Sequence, residues 1–187
     1  MARPAAFLDR DGVINEDHGY VHRWDDFEFV PGVVDGLGRL QAAGYALVVI
    51  TNQSGIARGF YDEAALGLLH DRLRATLAGQ GIELAAIEYC PHLPAGQATV
   101  ERYALACDCR KPAPGMILRA ARALDLDLSR SLLFGDRASD VEAGHRAGVG
   151  RCVRLAPNAR PSDEPVDHLS LPDALDALAV PHAVRGQ

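Results

Sequence analysis

Five short apolar segments, separated by segments with helical spacing, constrain the fold of this 187-residue chain more than any other feature. The spacing predicts strands at residues 5–8, 45–50, 85–89, 131–134 and 151–155. These runs are continuous rather than alternating, so we expect each strand to be buried on both faces. Strands of this kind that alternate with helices predict an α/β fold, a Rossmann-like and mostly parallel sheet with helices on both faces.

Helices are predicted in four of the remaining segments. One carries apolar residues at helical spacing from residue 33 to residue 40, and a second begins at the N-cap Asp62. Pro114 suits the first turn of a third, and residues 171–178 form a short last helix after a loop at 157–165. Because no repeat or low-complexity tract interrupts this pattern, we expect one domain over residues 1–187, without a large cap domain.

Charge and hydropathy exclude several classes of partner. The formal net charge is −6 with no basic block, which argues against a nucleic-acid partner. The longest apolar run, residues 46–50, is far shorter than the roughly 20 residues that span a bilayer. Asp9 interrupts the N-terminal apolar stretch before it resembles a signal peptide. We therefore expect a cytoplasmic protein without a membrane partner. We also expect it to be a monomer that binds a small molecule.

Two carboxylates follow the first predicted strand at Asp9 and Asp11, and Gly12 permits a sharp turn directly after them. In a parallel sheet the ligand site lies beyond the carboxyl ends of the strands, so these side chains are the first candidates. By themselves they fit a solvated Asp-Gly turn and a catalytic pair equally well. A catalytic pair requires a cation between the carboxylates or two different protonation states, as a nucleophile beside a general acid would have.

The order of polar residues along the chain separates these two interpretations. Thr51 opens a run of hydroxyl and amide side chains after the second strand, which alone predicts only a polar loop. Arg110 and Lys111 precede a helix and alone predict a solvated surface patch. Asp136 and Asp140 follow the fourth strand. The combined order favours a catalytic site. It consists of an Asp pair at a strand end, a Thr at the next strand end, a Lys before a helix and a closing acidic pair.

Three of the four cysteines and one histidine form two close pairs: Cys90 with His92, and Cys107 with Cys109. This ligand set predicts a tetrahedral zinc site, with a zinc loop at about residues 90–109. Four protein ligands leave no position for water, so the zinc is expected to be structural and to fix the two cations that follow the loop. Cys152 lies in the last predicted strand, where packing against the core is the favoured interpretation.

The ordered motifs resemble those of the haloacid dehalogenase-like phosphatases, whose signature is Asp-x-Asp, Ser/Thr, Lys and an acidic pair. Longer stretches, at residues 7–12, 17–21, 51–59 and 107–112, are similar to the heptose-bisphosphate 7-phosphatase group, whose relatives are histidinol-phosphate phosphatases. The resemblance implies release of the 7-phosphate of D-glycero-D-manno-heptose 1,7-bisphosphate on the route to ADP- or GDP-heptose. The alternatives are a histidinol-phosphate phosphatase and a non-catalytic, zinc-stabilised binding module.

The resemblance also implies a role for each catalytic residue. Asp9 is the nucleophile that forms an aspartyl-phosphate. Asp11 protonates the leaving oxygen and then deprotonates the attacking water. Thr51 and Lys111 hold phosphoryl oxygens.

The same resemblance implies a catalytic Mg²⁺ held by Asp9, Asp136 and the backbone carbonyl of Asp11. Asp140 is expected either to hold a metal-bound water or to brace Lys111. The alternative for Asp140 is an ordinary carboxylate at a helix N-terminus.

Substrate recognition is implied for Asp17, His18, Gly19, Tyr20, Thr51, Asn52, Gln53, Ser54, Arg110, Lys111 and Arg137. A lysine is familiar at position 137 in the heptose enzymes, so Arg137 keeps the charge but changes its reach. Arg110 and Arg137 together favour a substrate with a second phosphate over the cationic amine of histidinol phosphate.

Overall fold

The computed structural model describes residues 2–155 and 167–181. A single sheet contains β1 (Ala5–Leu8), β2 (Ala46–Asn52), β3 (Leu84–Cys90), β4 (Leu132–Gly135) and β5 (Arg151–Arg154). Its strand order is β3-β2-β1-β4-β5, and all neighbouring strands pair in parallel. The predicted α/β fold is confirmed. The predicted loop at 157–165 lies outside the described residues, and one domain over 1–187 stays a prediction.

Within the described residues, five α-helices connect or flank these strands: α1 (Val33–Ala42), α2 (Glu63–Ala78), α3 (Gly115–Leu124), α4 (Ala138–Ala147) and α5 (Leu171–Ala177). The Asp62 carboxylate accepts a hydrogen bond from the Ala65 N–H at 2.8 Å, which confirms it as the N-cap of α2. Pro114 lies one residue before α3 rather than in its first turn. None of the helices in the described ranges combines the length and apolar character that a membrane span requires.

Helix α4 was not predicted from apolar spacing. Its buried residues are Asp140, Ala143 and Gly144, which carry little or no apolar side chain. Gly144 is required because a Cβ there would lie 2.5 Å from the Cys152 sulfur. The close approach of α4 to the sheet therefore depends on small residues, which give no helical apolar pattern. Cys152 itself is half-buried and packs against the core, in line with its prediction.

Two apolar clusters cover the two faces of the sheet. Leu8 and Val49 point into the cluster that includes α1, whereas Phe7 and Val48 point into the cluster that includes α3. The strand residues alternate between the faces, as the pleat requires. The expectation that every strand is buried on both faces is wrong for β3 and β5, whose residues are mostly half-exposed, because each is an edge strand with a neighbour on one side only.

The strand order creates a crevice at the carboxyl ends of β1 and β4. The chain moves outward from β1 to β2 and β3, then returns to place β4 on the other side of β1. Loops that leave β1 and β4 therefore diverge, which is where open α/β sheets bind ligands. The Asp9 N–H donates to the Phe134 carbonyl at 2.9 Å, so Asp9 is held beside the end of β4.

A third apolar cluster, here called the loop core, joins three loops to α2. Its buried members are Ile56, Ala57, Leu66, Leu69, Leu93 and Tyr103, and its partly buried members are Trp24, Phe27, Tyr61, Tyr89, Ala98 and Val100. The N–H groups of Thr99 and Val100 both donate to the Ala57 carbonyl, at 2.8 and 2.9 Å. Segments 12–31, 51–62 and 90–109 therefore pack together where other folds carry a separate cap.

Candidate active site

A cleft of about 570 Å³ lies at the carboxyl ends of the strands. Its walls contain Asp9, Asp11, Asp17, Gly19, Tyr20, Thr51, Asn52, Gln53, Ser54, Tyr61, Arg110, Lys111, Pro112, Arg137, Ser139 and Asp140. Every residue expected to recognise substrate lines this cleft except His18. The His18 imidazole lies 3.5 Å from the Glu28 carboxylate and lines a separate surface pocket of about 430 Å³.

Lys111 is the buried cation of the cleft floor. Its Nζ lies 2.8 Å from Asp9 Oδ1 and 2.7 Å from Asp140 Oδ1, and it donates to the Ile50 carbonyl at 2.8 Å. Burial alone would lower the pKa of Lys111, but the attraction of the two carboxylates outweighs it and the pKa is raised. Lys111 therefore stays charged, with its three N–H groups directed at fixed oxygens.

The carboxyl groups of Asp9, Asp136 and Asp140, here called the carboxylate cluster, offer oxygens that all lie within 4.8 Å of one another. Burial and the repulsion of Asp140 raise the pKa of Asp136 to about 6. Burial also raises the pKa of Asp9 well above its ordinary value, against the opposing effect of Lys111. Oδ1 of Asp136 is buried and has no hydrogen-bond partner among the described residues. Closely spaced oxygens with excess negative charge and an unpartnered atom fit a hard divalent cation.

Two glycines allow this cluster to form. Gly12 has a φ of +86°, and a Cβ at this position would lie 2.5 Å from Asp136 Oδ2. A Cβ at Gly135 would lie 2.2 Å from the Asp140 Cβ. The turn at Gly12 was predicted from its sequence, but neither close approach was, because each depends on a residue brought in by tertiary packing.

The Asp11 carboxylate lies outside the carboxylate cluster and is held by three side chains. Arg10 Nη2 donates to both carboxylate oxygens, at 2.9 and 3.0 Å. Asn15 Nδ2 donates to Oδ1 at 3.0 Å, and Gln53 Nε2 donates to Oδ2 at 2.9 Å. These donors fix the orientation of the carboxylate at the edge of the cleft.

Arg10, which sequence reasoning did not select, is fully buried behind Asp11. Its Nη1 lies 3.3 Å from His70 Nε2, and its Nη2 also donates to the Val21 carbonyl. Burial, together with the charge of Arg10, lowers the pKa of His70 to about 3, so this imidazole is neutral and accepts from the guanidinium. The only signal for Arg10 in the sequence is a cation next to a continuous apolar strand.

Thr51, Asn52 and Gln53 follow one another along the chain but make different contacts. Gln53 Nε2 donates to Thr51 Oγ1 at 2.8 Å. The Asn52 amide instead makes two hydrogen bonds, each 3.1 Å long, with the backbone N–H and carbonyl of Lys111. Asn52 therefore ties the end of β2 to the segment that carries Lys111.

Two arginines, Arg110 and Arg137, line the wall of the cleft, and the Arg137 Nε also lies 3.9 Å from Asp136 Oδ2 of the carboxylate cluster. Arg137 Nη2 lies 2.9 Å from the Asp17 carboxylate, and the Arg137 side chain is 65% exposed. Arg110 Nη1 donates to the His92 carbonyl at 3.3 Å and so contacts the segment 90–109. Both guanidinium groups leave donors for an anionic ligand, since each can make five hydrogen bonds.

The second ligand group, here called the cysteine cluster, consists of Cys90, His92, Cys107 and Cys109. Five distances between its sulfur and Nδ1 atoms range from 3.1 to 3.7 Å. Tetrahedral zinc with bonds of about 2.3 Å to sulfur and about 2.0 Å to nitrogen separates its ligands by roughly 3.5 to 3.8 Å. The cluster is thus compatible with the predicted zinc loop, and Arg110 follows it directly.

Comparison with known proteins places these motifs among phosphatases. A family model for HAD-hydrolase-like proteins matches residues 108–165. A D-glycero-beta-D-manno-heptose-1,7-bisphosphate 7-phosphatase of Photorhabdus laumondii is 45% identical over 98% of this chain and 96% of its own length. A D-glycero-alpha-D-manno-heptose-1,7-bisphosphate 7-phosphatase of the same organism is 43% identical over 93% of each chain.

A solved structure shares the fold at high coverage. The D,D-heptose 1,7-bisphosphate phosphatase of B. bronchiseptica, crystallised with magnesium and phosphate, superposes with a TM-score of 0.74. It is 33% identical, and the match covers 94% of this chain and 98% of that one.

Proposed function

The chain belongs to the haloacid dehalogenase-like hydrolases, within them to the heptose-1,7-bisphosphate 7-phosphatases, and we propose that it hydrolyses the 7-phosphate of D-glycero-D-manno-heptose 1,7-bisphosphate. One observation carries the proposal. The cleft holds a buried Lys111–Asp9 contact at its floor and two arginines elsewhere in its wall. A molecule with one phosphate to lose and a second phosphate to be held matches this charge distribution.

Asp9 is the nucleophile in this proposal. Lys111, 2.8 Å from the Asp9 carboxylate, neutralises a phosphoryl oxygen and reduces the repulsion between two anions. Thr51 Oγ1 accepts from Gln53, so its own hydrogen is free to be donated to another phosphoryl oxygen in the cleft. Attack by Asp9 forms the aspartyl-phosphate as the bond from phosphorus to the sugar oxygen breaks.

Asp11 acts as the general acid in the first half-reaction and as the general base in the second. It protonates the departing sugar oxygen, and in the next step it takes a proton from the water that hydrolyses the aspartyl-phosphate. The hydrogen bonds from Arg10, Asn15 and Gln53 keep its carboxylate at the cleft wall throughout. Asp9 therefore acts as the nucleophile and Asp11 as the acid and base, because the two carboxylates have different surroundings.

Mg²⁺ would be held by Asp9 and Asp136, together with the backbone carbonyl of Asp11. When bound, the ion supplies a positive charge that orients the phosphate and lowers its repulsion of the nucleophile. The buried, unpartnered Oδ1 of Asp136 supports this assignment. Asp140 both pairs with Lys111 and accepts from the Arg137 N–H at 3.0 Å, so in this proposal it braces Lys111 from the start of α4.

Arg110 and Arg137 would hold the second phosphate of the substrate. Arg137 is paired with Asp17, so binding of a phosphate requires the guanidinium to share or exchange this partner. Asp17, Gly19 and Tyr20 face the cleft and would contact the sugar, as would Ser54. A cationic amine, as in histidinol phosphate, would find two like charges in this wall, which disfavours that alternative.

Zinc in the cysteine cluster would be structural. Three thiolates and one imidazole complete a tetrahedron, so the ion would hold the chain that leads into Arg110 and Lys111 rather than activate water. The monomeric state, the cytoplasmic location and the lack of nucleic-acid or membrane partners stay predictions.

The test is phosphate release, with and without Mg²⁺, from both anomers of heptose 1,7-bisphosphate, from fructose 1,6-bisphosphate and from histidinol phosphate. We expect Mg²⁺-dependent turnover with kcat/KM at least about tenfold higher for a heptose anomer, because a misplaced or missing phosphate cannot form the hydrogen bonds that the two arginines offer. Arg137→Gln should raise KM for the bisphosphate more than it lowers kcat. Preference for histidinol phosphate would overturn the substrate, and absence of any turnover would favour a binding module.

A further inference from the structure

Tyr61, at the end of the 51–62 loop, is held in one place by its neighbours. The His22 ring stacks on it at a centroid distance of 4.6 Å and an interplanar angle of 5°. On another side is Gly55, where a Cβ would lie 2.2 Å from Tyr61 Cε1. Its hydroxyl donates to Gln53 Oε1 at 2.5 Å. The ring thus has little room to move, and its hydroxyl points at one atom.

Gln53 connects that hydroxyl to the catalytic groups. Its Nε2 uses both hydrogens, one to Asp11 Oδ2 at 2.9 Å and one to Thr51 Oγ1 at 2.8 Å. A carboxylate only accepts, so the NH₂ end of the amide must face Asp11 and the carbonyl end must face Tyr61. Rotation of the amide by half a turn would place Oε1 against the Asp11 carboxylate and leave Thr51 without its donor.

We propose that Tyr61 is a positioning residue for the phosphatase reaction, which fixes the Gln53 amide and thereby orients Asp11 for proton transfer. The inference rests on the proposed function, in which Asp11 is the general acid. The Tyr61 hydroxyl is connected to Asp11 through the Gln53 amide, by the hydrogen bonds from Tyr61 to Gln53 and from Gln53 to Asp11. Burial raises the pKa of Tyr61 to about 12, so its hydroxyl stays a donor throughout the neutral range.

The first test compares two tyrosines that both donate to a fixed oxygen. Tyr61→Phe keeps the ring between His22 and Gly55 but removes the donor to Gln53. Tyr89→Phe is the matched control, because the Tyr89 hydroxyl donates to Glu63 at 2.9 Å, away from Asp11. We expect kcat to fall about tenfold in Tyr61→Phe with KM changed less than about twofold, since only orientation of the acid is lost. Tyr89→Phe should keep wild-type kinetics.

A double-variant cycle asks whether Tyr61 acts through Gln53. In the background Gln53→Ala, Tyr61→Phe should cause no further loss of kcat, because the amide that it orients is gone. Fully additive losses would contradict the proposed route, whatever the melting temperatures of the variants.

A change of leaving group asks whether the effect reaches Asp11. On p-nitrophenyl phosphate, whose leaving group departs without a proton, kcat/KM of Tyr61→Phe should fall less than about twofold. On glycerol 2-phosphate, an alkyl phosphate, it should fall about tenfold. Equal losses on both compounds would overturn the role of Tyr61 in orienting the acid.

The two proposals can fail separately. A wild-type protein that hydrolyses glycerol 2-phosphate but not heptose 1,7-bisphosphate would overturn the substrate and leave the Tyr61 comparison intact. Wild-type kcat in Tyr61→Phe, beside an active wild-type enzyme, would overturn the role of Tyr61 alone. A wild-type protein that releases phosphate from none of these compounds would overturn both.

Discussion

The carboxylate cluster and the cysteine cluster are built from metal-ligating side chains, but they differ in how the fold supports them. The carboxylate cluster draws on the ends of β1 and β4 and on α4, and it opens into the cleft. The cysteine cluster takes two close pairs from one loop and surrounds its centre with four ligands. An open ligand set leaves room for a reacting molecule, whereas a closed set can only hold the chain.

The two clusters also differ in charge. Lys111 contacts Asp9 and Asp140 of the carboxylate cluster, and the Arg137 Nε lies 3.9 Å from Asp136 Oδ2. Burial, together with repulsion from the neighbouring carboxylates, raises the pKa values of Asp9 and Asp136. The cysteine cluster affects the cleft by setting the positions of Arg110 and Lys111, which follow it directly in the chain. Substitutions in the carboxylate cluster should therefore abolish phosphate release. Substitutions in the cysteine cluster should instead make the wall of the cleft that carries Arg110 and Lys111 less ordered.

The largest effect is expected for Asp9→Asn. The amide cannot form the aspartyl-phosphate, so turnover should fall by about 10⁴-fold or more. The fold should persist, because Asn is nearly isosteric and its removal of one charge relieves crowding among buried carboxylates. Steady-state kinetics with a thermal melt would check both. Wild-type rates in this variant would remove Asp9 as the nucleophile.

A smaller loss is expected for Gly12→Ala, which tests the geometry of the carboxylate cluster without changing its charges. The new Cβ would lie 2.5 Å from Asp136 Oδ2, so Asp136 must move. We expect activity to fall about 100-fold, because a shift of about 1 Å at a catalytic group has this effect. Gly44→Ala is the control, since Gly44 has a similar φ of +89° with nothing within 4 Å. Equal losses in both variants would mean that backbone strain, not the contact, limits activity.

Cys107→Ser tests the closed cluster. We expect loss of bound zinc, an unfolding free energy lower by about 3 kcal/mol, and activity lower by about tenfold with the nucleophile still in place. Metal analysis, a denaturant titration and kinetics measure these three quantities. Cys152→Ser, which changes a cysteine outside the cluster, should retain zinc. Pure wild-type protein without zinc, and a Cys107→Ser variant of unchanged stability, would refute the zinc loop.

The smallest effect concerns the stability of the protein in acid, to which the buried His70 beside Arg10 contributes. The unfolded chain protonates its histidine near pH 6.5, whereas folded His70 stays neutral until about pH 3. The contribution of His70 to stability is therefore complete above pH 6.5 and is lost as the pH falls, by about 2 kcal/mol at pH 5. The unfolding free energy of His70→Asn should lose about that much less between pH 7 and pH 5 than wild type. Parallel curves for the two proteins would show that His70 is not held neutral.

Much of the fold was predictable from the chain because local patterning encodes it. Continuous apolar runs mark strands within one or two residues of their observed bounds, and Asp62 marks the start of α2. Helix α4 was not predicted, because its buried side contains small residues and Asp140. The exposure of β3 and β5 was not predicted either, because the strand order, and not the composition of a strand, decides which strands lie at the edges of the sheet.

The site was predictable as a set of residues but not as a set of contacts. The order of the motifs selected Asp9, Lys111 and Asp136, and parallel strands bring their segments to one edge of the sheet. The contacts of Arg10 with His70 and of Tyr61 with Gln53 had no sequence signal. They depend on residues from different loops, and an arginine beside a strand or a tyrosine in a loop is ordinary in itself.

The sequence by itself predicted the alternation of strands and helices, paired the cysteines with His92, and carried the resemblance that pointed to a phosphatase. Each follows from residue type and spacing along the chain. Only the tertiary structure decided that Asp140 pairs with Lys111 and that Gln53 donates to Asp11 from 42 residues away. The physical reason is range: apolar patterning acts over a few residues, whereas a hydrogen bond requires two distant atoms to be placed within a few tenths of an ångström by the packing of the whole sheet.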